Sequence, residues 1–119
     1  MQKWLVQQDA ETLAISDWVI TEFSTALSIK LRTGQLSIDE RAVSLAGFSR
    51  LIAESLTVLP ISGLHFRAAA RFADLHRSGL RAGDALHLAV AGDHGATLCS
   101  LDRRLAAAGG ELGVQTLLV

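Results

Sequence analysis

Short apolar runs alternate along this chain with longer stretches in which an apolar residue returns every third or fourth position. The first rhythm suits strands and the second amphipathic helices, and their alternation predicts an α/β fold with a mainly parallel sheet. Met1–Gln8 reads as the tail of a helix, with Trp4 and Leu5 apolar, and Leu13–Ser16 as a short strand. Ser16 or Asp17 can cap a helix to about Thr33, carrying Val19, Phe23, Ala26, Leu27 and Leu31 and closed by Gly34. Ser37 and Glu40 in SIDE form a capping box that opens a helix to about Glu54.

Leu56–Ile61 is a second strand, and Pro60 marks its end rather than its centre. Ser62 or Gly63 starts a helix through Phe66, Ala69, Phe72 and Leu75 to Ser78-Gly79. Ala82–Asp93 is a very apolar helix broken at Gly95, and Ala96–Leu101 a β-run. Asp102–Ala108 is a short helix, Gly109-Gly110 a break and Val114–Val119 the last strand. Neither repeats nor linker-like tracts interrupt the pattern, so residues 1–119 are expected to form one domain.

Composition narrows the class. A chain of 119 residues can build a core without staples, and 50% hydrophobic with 19% charged residues excludes a disordered chain. The net charge of −1 supplies no global pull toward nucleic acid, so RNA contact would need a local basic patch and a metal. Cys99, the single cysteine, lies in the apolar run ATLCSL. It can form no internal disulfide, fits a reduced cytoplasmic setting and reads as packing. No apolar run approaches the roughly 20 residues that span a bilayer, and Met1–Gln8 has no signal-peptide pattern.

Three carboxylates stand where the pattern expects an apolar residue or a strand end. Glu22 has Val19 and Ala26 on its side of the helix, which predicts partial burial and a need for a cation. The alternative is a rim position that reaches solvent. Asp84 heads the apolar helix ALHLAVA, either as an N-cap or as a ligand turned into a cleft. Asp102 follows the strand ATLCSL, at the strand end where open α/β sheets bind ligands, and capping is compatible with that role. Brought together, such acids suit a hard divalent cation.

Arg81, Arg103 and Arg104 beside these acids could contact phosphate or be ordinary solvated arginines. His87 reads as a neutral packing histidine, and His65, His76 and His94 lack zinc-ligand spacing. No G-x-S-x-G turn surrounds Ser24 or Ser28, which excludes triad chemistry there.

The segments DWVITEF, LRAGDALHLAVA and GATLCSLD, in that order, resemble the PIN-domain ribonucleases, specifically the VapC-type toxins of toxin–antitoxin pairs. The resemblance covers the chain from about Trp4. It implies a three-layer α/β/α arrangement and a quartet of acids, of which Glu22, Asp84 and Asp102 match the last three. Ser100 matches a small hydroxyl residue that the family often places two before the final Asp. The implied activity is hydrolysis of single-stranded RNA at a carboxylate-held Mg2+ or Mn2+ site, and the implied partners are an antitoxin and a second copy of the chain.

VapC-type chains usually open on a short strand carrying Asp, in a pattern like LDTSAL. Asp9 in QQDAET and Asp17 at a helix start do not match it. The expectation is therefore a chain that starts inside the first helix, short of one carboxylate and of a central strand. A competing reading is a module that binds an antitoxin or itself without catalysis. The Val43, Phe48, Leu51 and Ile52 stripe would then face a partner, although ordinary core is the first reading of that stripe.

Overall fold

The structure, a computed structural model, describes residues 2–9 and 12–119. Of the expected Met1–Gln8 helix it shows α1, Gln2–Val6; Met1 lies outside the described residues, as do Ala10 and Glu11 of the polar turn. The chain divides into two compact units, residues 8–60 and residues 61–119, the latter grouped with the segment at α1.

In the unit of residues 8–60, β1 (Ala14–Ser16) pairs in parallel with β2 (Thr57–Leu59), Ile15 opposite Val58. Two helices connect them, α2 (Asp17–Arg32) and α3 (Ile38–Glu54). The Ser37–Glu40 box forms as expected: the Glu40 N–H donates to Ser37 Oγ at 3.1 Å, and the Ser37 N–H donates to Glu40 Oε1 at 3.0 Å. Ser16 holds the N-cap position of α2, but its hydroxyl makes no cap bond and is buried without a partner among the described residues. Thr33 closes α2, donating its hydroxyl to the Ile29 carbonyl at 2.9 Å, and Gly34 follows at φ +79°. Phe23 of α2 meets Phe48 of α3 at 4.0 Å between ring centroids.

The core expected from the α3 stripe is not there. Val43 is 73% exposed and Leu51 is also exposed, while Phe48 and Ile52 are half-buried. Phe48 has the Phe23 ring to pack on, and Val43 faces solvent one side over.

In the other unit, α4 (Gly63–Asp74) stops earlier than expected, because Leu75 leaves helical geometry at ψ 73°. A 3-10 turn at His76–Ser78 follows, and Gly79 closes it in the left-handed region. The apolar helix α5 (Ala82–Asp93) has the expected bounds. Next come β3 (Leu98–Ser100), α6 (Arg103–Glu111) and β4 (Thr116–Leu118), with β3 and β4 paired in parallel.

The expected break at Gly109-Gly110 is absent, and α6 runs through it to Glu111. Gly109 serves close packing instead: a Cβ there would strike the Thr116 side chain and lie 3.1 Å from Leu88 Cδ2. The turn comes later, at Gly113 with φ +77°. Leu88, Ala91, Leu105 and Val114 form the buried centre of this unit, flanked by Phe72, Leu80, Leu98 and Leu112. Among the described residues no helix is long and apolar enough to cross a membrane.

Candidate functional site

The Gly95 turn links α5 to β3, so the strand runs back along the helix that precedes it. Twelve helical residues rise about 18 Å and the five residues 96–100 about 16 Å, which makes the two nearly equal in length. With α5 packed on β3, the start of the helix and the carboxyl end of the strand share one end of the unit. Asp84 and Asp102 both lie at that end.

Asp102 is the N-cap of α6. Its Oδ1 accepts from the Arg104 N–H at 2.9 Å and the Leu105 N–H at 3.3 Å. One oxygen therefore holds the helix while the residue as a whole stays exposed, leaving the other for a further contact. Ser100 fixes the approach, its hydroxyl accepting from the Asp102 N–H at 3.0 Å. That bond gives Ser100, which the PIN resemblance also offers as a weak RNA-contact residue, a structural task at the head of α6.

Asp84 is not an N-cap. The cap position of α5 belongs to Arg81, which makes no side-chain cap bond, and Asp84 is the third helical residue. It is half-buried, and its carboxylate has no hydrogen-bond or ion-pair partner among the described residues. The positive end of the α5 dipole favours its charge there. A half-buried carboxylate without a protein partner is the kind of group that holds a cation, and carboxylate oxygens such as those of Asp84 and Asp102 suit a hard divalent one.

Arg81, Arg103 and Arg104 are exposed around this end, and Arg104 Nη1 lies 4.0 Å from where a Cβ on Gly79 would stand. Glu22 belongs to the unit of residues 8–60, on α2. Its expected burial is not found: Glu22 is exposed, and so is Ala26. The inward stripe of α2 passes through Phe23 and Leu27 at i, i+4 spacing, one residue round from Glu22.

Other candidates fall out as follows. His87 is half-buried on α5, and burial pushes the half-buried Cys99 thiol up. One group escaped the sequence reading. Ligand atoms of His65, Asp93 and His94 all lie within 4.8 Å of one another. His65 Nε2 meets Asp93 Oδ2 at 2.8 Å, and that bond holds the Asp93 carboxyl below its ordinary range, against the opposing pull of burial. Zinc-type spacing was the wrong signal to seek. The useful one was that α4 and α5 each have twelve residues and form a hairpin, which sets the start of one beside the end of the other.

The family model for the PIN domain matches residues 2–111. The chain belongs to the PIN domain family. The match runs across both units, and PIN domains are in general metal-dependent nucleases. Of the sequence expectations, the PIN resemblance and an α/β chain with short parallel strands hold at this level. No match was found among curated proteins.

Proposed function

We propose that this PIN domain is a divalent-metal-dependent endoribonuclease of the VapC type, the toxin of a toxin–antitoxin pair, acting on single-stranded RNA in the cytoplasm. The observation that carries the reading is the shared placement of Asp84, without a protein partner, and Asp102, with one oxygen committed to its helix, at one end of α5 and β3. The PIN resemblance counts Glu22, on α2 of the other unit, as a further acid of the family's quartet. Mg2+ or Mn2+ bound there supplies a water of lowered pKa and neutralises charge on the scissile phosphate. The chain's own residues do the rest. Asp84 and Asp102 hold the charge, α6 locks Asp102 in place through two N–H bonds, and Arg81, Arg103 and Arg104 offer donors to phosphate.

The same reading includes a three-layer fold completed by a further parallel strand with a fourth carboxylate. One observation supports it. Each parallel sheet among the described residues has only two strands, fewer than the roughly four to six of a usual sheet. A cooperative thermal transition of the monomeric 119-residue chain would argue that no such strand is needed.

A second reading, a binding module that engages an antitoxin or another copy of itself, is favoured by α3, which leaves Ile38, Val43 and Leu51 exposed. One experiment separates the two: Mn2+-dependent cleavage of a labelled single-stranded RNA by the chain and by Asp84→Asn. Cleavage that falls by about 100-fold or more in the variant supports the enzyme, as removal of a group that stabilises transition-state charge does elsewhere. No cleavage by the parent chain leaves the binding module.

A further inference from the structure

We propose that His65, Asp93 and His94 form a second cation site, one for a transition-metal ion of the Zn2+ class, at the opposite end of α5 from Asp84. The α4–α5 hairpin creates it by bringing the third residue of α4 beside the last residue and C-cap of α5. Ligand atoms from the three side chains already lie within 4.8 Å of one another, and the two histidine rings are 6.0 Å apart between centroids. Two imidazoles and one carboxylate select Zn2+, Co2+, Ni2+ or Cu2+, whereas Mg2+ and Ca2+ prefer oxygen alone. The negative end of the α5 dipole adds attraction for a cation at this spot. His65 is 7% exposed and anchors the site, while Asp93 and His94 are exposed and leave coordination positions open to water. Tetrahedral zinc needs its donor atoms about 3.4 Å apart, a closure that rotation of the two surface side chains supplies.

The proton count makes the proposal specific. His65 Nδ1 accepts from the Ser62 N–H at 3.0 Å, so the neutral ring carries its proton on Nε2 and donates it to Asp93. Binding through Nε2 removes that proton, and the neutral ligand ring then carries one on Nδ1, facing the Ser62 N–H. Two donors meet and the bond that caps α4 is given up. Metal binding and capping of α4 are therefore alternative states of one ring. The lost cap weakens the site by about fivefold relative to an uncommitted histidine.

The test is calorimetric titration of the tag-free chain with Zn2+, with amide exchange at Ser62 followed in parallel. One Zn2+ per chain is expected, with affinity lowered at least tenfold by His94→Ala, retained by His94→Cys and unchanged by Asp84→Asn. Exchange at the Ser62 amide should quicken at saturation. Because His94 is exposed, its substitution leaves the fold intact. Absence of Zn2+ binding, a loss smaller than tenfold in His94→Ala, sensitivity to Asp84→Asn, or an unaltered Ser62 amide overturns the proposal.

Discussion

Residues 8–60 and residues 61–119 follow the same local rules and reach different degrees of burial. In the second region α5 alone buries Ala85, Leu86, Leu88, Ala89, Val90 and Ala91. In the first, the 17 residues of α3 bury none, and Leu27 is the buried hydrophobe among the described residues. The buried polar atoms without partners among those residues, Ser16 Oγ, Trp18 Nε1 and Arg41 Nε, also fall in the first region. Caps and periodicity are enough to set a helix; a core needs an opposing surface. Asp84 and Asp102 thus stand on a packed frame, and Glu22 on a sparsely packed one.

The largest expected break in this contrast comes from Leu88→Ala. Leu88 is 0% exposed and central to its unit, so truncation should cost about 2–5 kcal/mol. Leu51→Ala on α3, where the side chain is 45% exposed, should cost less than about 1 kcal/mol. Amide exchange resolved by residue checks both, because the two regions need not open together. Equal losses would mean that α3 is packed as tightly as α5.

Two glycines sharpen the contrast through opposite signs. Gly109→Ala gains helix propensity of about 1 kcal/mol but forces a methyl against Thr116 and Leu88, an overpacking cost of about 1–3 kcal/mol. Overpacking should win and the variant should lose stability. Gly47, inside α3, has open space where its Cβ would stand, so Gly47→Ala should stabilise by about 0.5–1 kcal/mol. Urea midpoints of the two variants should move in opposite directions.

A cap acts locally and should ignore the contrast. Ser37→Ala in the first region and Asp102→Ala in the second should each cost about 1 kcal/mol, confined to the first turns of α3 and α6. On the proposed ribonuclease reading, Asp102→Asn separates capping from metal holding. Asn still accepts from the Arg104 N–H, so stability should hold while RNA cleavage is lost.

What the sequence made legible follows from the range of each interaction. The capping box at Ser37, the turn at Gly34 and both bounds of α5 depend on neighbours within four residues, and each is found where the pattern put it. Burial of Glu22, the role of Gly109 and the His65–Asp93 pairing depend on residues far along the chain, and each was misread or missed. Gly109 is instructive: a Gly-Gly pair signals a break by its backbone freedom, yet the contact with Thr116 uses its lack of a side chain. Asp84 was legible as an acid at a helix start, but its N-cap reading was at odds with the start at Ala82 that the pattern itself gave, and the helix does begin there.

The smallest effect is set by pH and belongs to the sparsely packed region alone. The Ser37 N–H and then the Ser37 hydroxyl hold the Glu40 carboxyl below its ordinary value of 4.5, against a slight opposing effect of burial. The folded state therefore binds fewer protons than the unfolded one in the acid range, and stability rises with pH there. The contribution is complete above the unfolded value and fades as pH falls through the lower folded one. Protection of the first-turn amides of α3 should accordingly weaken on acidification below 4.5, while Glu40→Gln, which keeps an acceptor for the Ser37 N–H, should flatten that response. Amides of α5 should be indifferent to the substitution. If they respond as well, the helix cap at Ser37 is coupled to the packed region and the two units do not open independently.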